Sequence, residues 1–163
     1  MLRVLLDTNV YGEIIIDSNT FLVIKNIKNS NMKIYGLDII RKELRNTPKK
    51  IRVEKRGLRV SLLSLYDNIV KQDYVLNKEI LSIAKDYYLA YREIGGIRKE
   101  KDILNDLIII ACASLNNLDI VVSNDEKTMF NENAIRAYKL INDVKRLRTP
   151  NLIDYNKFKR WLT

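Results

Sequence analysis

Four acidic residues stand where a folded chain can bring carboxylates together. Asp7 follows a short apolar run and Glu43 lies in Arg41-Lys42-Glu43-Leu44. Asp106 begins the apolar stretch from Leu107 to Ala113, and Asp125 closes Ser123-Asn124-Asp125. A fifth acid, Asp102, precedes Asp106 by one helical turn, so the two share a helix face above an apolar body. Carboxylates crowded together raise one another's pKa, and such a cluster ordinarily serves to hold a cation. The chain has no histidine and one cysteine. Imidazole is therefore absent as a base, a zinc ligand or a triad member, and Cys112, on an apolar helix, reads as a small core residue. Oxygen ligands alone point to Mg²⁺ or Mn²⁺, and to hydrolysis of a phosphodiester by a metal-activated water.

The partner suggested by charge is a polyanion. The sequence carries 29 Lys and Arg against 20 Asp and Glu, a net charge of +9. Residues 41–59 hold nine bases with only Glu43 and Glu54 opposing them, and residues 136–160 hold eight with Asp143 and Asp154. A solvated, lysine-rich surface would look the same from composition alone.

The elements that must position the acids alternate between two periodicities. Leu2 to Leu6 and Met32 to Leu37 read as buried strands, and Asp119 to Ser123 as a third. A helix from about Asn9 breaks at Asp17-Ser18-Asn19 and resumes from Thr20 to Asn29. Asp38 is placed to cap a helix from Ile39 to Arg45. Lys49 to Arg59 reads as a solvated connection or the exposed start of a helix that runs from Leu58 to Val70. Asn77 caps Lys78 to Glu93, where Tyr87, Tyr88 and Tyr91 read as core rather than as a base-stacking platform. A helix spans Glu132 to Val144, Leu152-Ile153 forms an edge strand after Pro150, and Asp154 caps a last helix bearing Trp161. Strands alternating with helices predict an α/β fold, a three-layer α/β/α sandwich with a mainly parallel central sheet. One domain over residues 1–163 is expected, with a C-terminal helical extension at about 151–163. No run is long and apolar enough for a membrane span, and the first residues lack the features of a signal peptide, so a cytoplasmic protein is expected.

In this order the motifs resemble those of the PIN domain, the metal-dependent nuclease fold found in VapC toxins of toxin–antitoxin pairs. The likeness rests on Leu5-Leu6-Asp7-Thr8-Asn9, on Glu43, on Asp106 to Ala113, and on Ser123-Asn124-Asp125. Ile110 departs from the pattern, standing where a small alanine is common. The resemblance implies a catalytic and metal-binding tetrad of Asp7, Glu43, Asp106 and Asp125, supported by Asn9 and Ser123. Asp102 is an added acid, a helix cap or an outer support. It also implies an RNA substrate, a small antitoxin encoded nearby and a homodimer. The helix Lys78 to Glu93 and the last helix are candidate dimer faces. Each acid has an ordinary use as well: Asp7 and Asp125 can cap the elements that follow, Asp106 can favour a helix N-terminus, and Glu43 can be an exposed charge. A PIN fold kept as a catalytically silent binding or interaction module is the alternative reading.

Overall fold

The computed structural model describes residues 1–163. Strand β1 (Leu2–Leu6) leads into helices α1 (Thr8–Ile16) and α2 (Thr20–Asn29), then β2 (Met32–Leu37) and α3 (Asp38–Arg45). A two-stranded hairpin, β3 (Arg52–Val53) with β4 (Arg56–Gly57), precedes α4 (Leu58–Ile69) and β5 (Val70–Tyr74). Next come α5 (Lys78–Ile94), α6 (Glu100–Leu115), β6 (Ile120–Val122), α7 (Glu132–Lys145), β7 (Asn151–Ile153) and α8 (Tyr155–Leu162).

The main sheet has the order β5-β2-β1-β6-β7, and every neighbouring pair is parallel. β1 lies at its centre, with Val4, Leu5 and Leu6 wholly buried, as a strand covered by helices on both faces should be. The chain winds outward from β1 through β2 to β5, then crosses to the other side for β6 and β7. The direction reverses between β1 and β6, so the carboxyl ends of these two strands flank the switch point where open α/β sheets place their sites. Asp7 leaves β1 there, and Ser123 follows β6. The ladder continues past both strands: Asp7 N–H donates to the Val122 carbonyl at 2.9 Å and Ser123 N–H to the Ile153 carbonyl at 3.1 Å.

The expected strands and long helices are present with nearly the expected bounds. Helix α6 starts at Glu100 with Lys99 at its N-cap, so Asp102 is not a cap, and Asp38 is the first residue of α3 rather than its cap. Two elements are additional. The hairpin occupies much of Lys49 to Arg59, expected as a solvated connection or the exposed start of a helix, and turns through Glu54 and Lys55, both with left-handed backbones (φ 49° and 70°). Strand β5 takes residues with no apolar alternation, Val70-Lys71-Gln72-Asp73-Tyr74, because it is a sheet edge where charged side chains face solvent. Beside it, Gly36 is required: a Cβ there would run into the Tyr66 hydroxyl and the Asp73 carboxylate, which are hydrogen-bonded to each other.

One continuous core fills the space between sheet and helices, and α6 supplies an unbroken buried run from Leu107 to Ser114 that includes Ile110 and Cys112. Tyr87 and Tyr91 are buried in it, as expected. The buried amide of Asn142 ties the helices behind the sheet. It accepts from Tyr87 Oη at 2.6 Å and donates to Ser114 Oγ at 3.0 Å and Thr149 Oγ1 at 2.9 Å, so each of its polar atoms is satisfied. No helix is long and apolar enough to cross a membrane.

Candidate active site

Asp7 is the most constrained of the acids. As the N-cap of α1 it accepts from Thr8 N–H at 2.7 Å through Oδ1, while Oδ2 receives the Ser123 hydroxyl at 2.7 Å and the Asn9 amide at 3.1 Å. Only 5% of it is exposed. Burial pushes its pKa up to about 6 against these donors, and the charges of Glu43 and Asp125 push in the same direction.

Glu43 projects from α3 into the same cleft. Its Oε2 accepts the Thr8 hydroxyl and its Oε1 the Asn105 amide at 2.7 Å, so it links α1 to α6 rather than standing free on α3. Asp106 is raised further than Asp7, to about 7, first by burial and then by the charges of Asp7, Asp125 and Glu43; the Thr128 hydroxyl opposes the rise. That hydroxyl sits between Asp106 Oδ2 and Asp125 Oδ2. Asp125 Oδ1 in turn accepts the amides of Lys127 at 3.1 Å and Thr128 at 2.9 Å, and its own amide donates to Ser123 Oγ at 3.0 Å.

The structure therefore brings Asp7, Glu43, Asp106 and Asp125 together, with Ser123 and Asn9 directly on Asp7. Asn9 also receives the Asn124 amide, at 3.4 Å. Asp106 lies in the second turn of α6, beyond the reach of the helix N-terminus, so a dipole role does not account for it. Asp102 is set apart: it is exposed in the first turn, where an acid suits the dipole. Three site residues were not singled out from sequence, namely Thr8, Asn105 and Thr128. The signal available for each is adjacency: Thr8 stands between Asp7 and Asn9, Asn105 precedes Asp106, and Thr128 lies three residues after Asp125, where a turn closes on a carboxylate.

The chain matches the family model described as PIN domain over residues 4–136. The chain belongs to the PIN domain family. Comparison with curated proteins gives no match. Among solved structures, the PIN fold here is similar to a chain of VapBC2 from Rickettsia felis, crystallised with a DNA fragment from its promoter. The TM-score is 0.58 at 18% identity, covering 94% of this chain and 98% of the other. A chain of VapBC-1 from nontypeable Haemophilus influenzae is similar at TM-score 0.58 and 16% identity, with 95% and 99% covered. At these identities the likeness is one of fold. β7 and α8 lie beyond the span matched by the PIN model.

The donor chemistry of this PIN site suits a hard divalent cation: carboxylate oxygens, a strongly negative locus and no competing nitrogen or sulfur. No three acids stand ready to close around a single ion. One or two carboxylates completed by water and substrate phosphate is the coordination Mg²⁺ ordinarily takes, and this arrangement permits it.

Proposed function

We infer that the protein is a divalent-metal-dependent ribonuclease that hydrolyses RNA phosphodiesters internally. The observation that carries the reading is the convergence of Asp7, Glu43, Asp106 and Asp125 without one basic partner, in a chain of net charge +9. One or two of Asp7, Glu43, Asp106 and Asp125 would hold Mg²⁺ or Mn²⁺, with water and substrate phosphate completing its shell. When bound, such an ion supplies positive charge to the phosphodiester and lowers the pKa of a water. The side chains around the tetrad do the positioning. Ser123 and Asn9 fix the Asp7 carboxylate, the Thr128 hydroxyl spaces Asp106 from Asp125, and Thr8 with Asn105 aims Glu43. Near neutral pH a bound cation would hold the raised carboxyls of Asp7 and Asp106 in their ionised form.

The likeness to VapBC2 and VapBC-1 extends the reading to a toxin role with a small antitoxin as partner. A homodimer belongs to the same reading. Since Tyr87 and Tyr91 face the core, the apolar surface left on α5 is Leu89, 64% exposed, and on α8 it is Trp161, 42% exposed.

A silent binding module on the same fold is favoured by one observation, the lack of a ready-made three-acid cage. Calorimetric titration of Mn²⁺ into the wild type and Asp106→Asn, with cleavage of a fluorescent mixed-sequence RNA followed in the same samples, separates the two. The nuclease reading expects binding and cleavage in the wild type and a loss of cleavage of at least about a hundredfold in the variant. A wild type that neither binds the ion nor cuts RNA leaves the silent module.

A further inference from the structure

The hairpin β3–β4 has no part in the acid cluster, yet with the residues leading into it, it gathers five bases within residues 49–56. Lys49, Lys50, Arg52, Lys55 and Arg56 are all exposed along it. The protein's four ion pairs engage Arg41, Lys145, Arg148 and Lys159, so none of these five cations is neutralised by an acid. Nor are they carried on a loose loop. Arg52 pairs with Gly57 and Val53 with Arg56, Ile51 accepts from Leu58 N–H at 2.8 Å, and Arg52 Nη1 donates to the Lys55 carbonyl at 3.3 Å across the turn. At the base, Arg59 Nη1 reaches the Arg45 carbonyl at 3.5 Å and so joins the end of α3 to the start of α4.

The turn itself is unusual in composition. Two-residue turns with positive φ at both positions favour Asn-Gly, yet here they are Glu54 and Lys55 (φ 49° and 70°). Side chains with a Cβ are disfavoured in that region, and a charged pair is kept at the tip all the same.

Position relative to the site follows from chain reach. Glu43, whose carboxylate lies in the cleft, is six residues before Lys49, so Lys49 is within about 20 Å of it along even a fully extended chain. We propose that the hairpin is a phosphate-gripping arm that holds the sugar–phosphate backbone of RNA as it enters the acid cleft. The proposal rests on the nuclease reading for its substrate. The arm answers a problem the cleft creates, because four carboxylates repel a polyanion and affinity must be supplied beside them. It carries no aromatic residue, so it contacts phosphates without selecting bases. Its exposed apolar side chains are only Ile51, 40% exposed, and Val60 at its base, 66% exposed, with no exposed aromatic anchor for a protein or membrane partner.

The test uses full-length protein in EDTA and a labelled mixed-sequence RNA of about 20 nucleotides, long enough for a site of several nucleotides. Binding is followed by fluorescence anisotropy over a salt series. Replacing Arg52→Gln, Lys55→Gln and Arg56→Gln together is expected to weaken binding about tenfold or more at low salt. The log–log salt slope should become shallower by about two, the value for three lost phosphate contacts on a single strand. Hydrolysis of bis(p-nitrophenyl) phosphate with Mn²⁺, a diester too small to reach the arm, should stay at the wild-type rate. Circular dichroism melting establishes that the triple variant is folded. A control with the same charge change on α2 and α7, Lys25→Gln, Lys28→Gln and Lys139→Gln, should leave the slope close to wild type. Wild-type affinity and slope in the hairpin variant, or an equal flattening in the control, would overturn the proposal. If neither protein hydrolyses either substrate while RNA binding still depends on the hairpin, the nuclease reading fails and the arm stands.

Discussion

Two kinds of buried or half-buried aspartate occur in this molecule, and they differ in what faces them. Asp17, at the end of α1, has both of its oxygens engaged: Oδ2 receives Tyr155 Oη at 2.8 Å and Lys159 Nζ at 2.8 Å, and Oδ1 the Asn19 amide at 2.9 Å. Its pKa is held low, first by Lys159. Asp119 is similarly served by the Arg3 amide and Arg148, and despite the cost of burial it too titrates below the usual range. Asp7 and Asp106 receive only hydroxyls and amides, and both titrate high, at about 6 and about 7. A chain with 29 basic residues places cations on its structural aspartates and none on its clustered ones. The unpaired charge costs stability, a cost that a bound cation would offset under the nuclease reading.

The largest effect that follows is one of opposite signs. A carboxyl whose folded pKa lies above its unfolded value near 3.8 binds more protons in the folded state. Its favourable contribution is complete below about pH 4 and is lost as pH rises through about 7. Without metal, the wild type should therefore lose thermal stability between about pH 5 and pH 8. Asp106→Asn, which removes the charge, should raise the melting temperature near pH 8 and flatten the dependence. A variant that melts lower than wild type there would show that the clustered charge is not a burden. Asp17→Asn should do the reverse and destabilise by about 2 kcal/mol, since Lys159 and Tyr155 lose a charged acceptor in a partly shielded position. Asp17 has a lowered pKa, so its contribution is present above the unfolded value and lost as pH falls below it. Urea unfolding at neutral pH measures the loss, and an unchanged midpoint would refute it.

Much of this contrast was legible in the residues. β1 and β2 are dense apolar runs and the order of acids follows the order of elements, so the fold and the four carboxylates could be named together. Asp17 was legible only as a helix break. Its partners Tyr155 and Lys159 are more than 130 residues away, and nothing local records such a pairing. The hairpin and β5 were hidden for a different reason. A left-handed turn made by Glu54 and Lys55 lacks the glycine that signals it, and an edge strand with Lys71, Gln72 and Asp73 facing solvent lacks alternation. Within the site, acids announced themselves by type, whereas Thr8, Asn105 and Thr128 are common polar residues whose role depends on the oxygen they face.

Thr128 gives the sharpest version of the contrast, because it stands between two acids where Asp17 has a lysine. Its hydroxyl lowers Asp106 but carries no charge, so it eases the repulsion between Asp106 and Asp125 without neutralising it. Thr128→Val keeps the branched shape and removes the donor. With the lowering contact gone, Asp106 should titrate above about 7, and the acidic limb of the pH–rate profile for RNA cleavage should move upward. Near pH 7 the rate should fall about tenfold, the usual scale for losing a group that orients a metal ligand, and the loss should shrink as pH rises toward about 9. Recovery at high pH is what distinguishes this from simple damage to the site. A tenfold loss that stays constant across pH would mean that the Thr128 hydroxyl only fixes the carboxylate of Asp125, through Oδ2, and does not set the titration of Asp106.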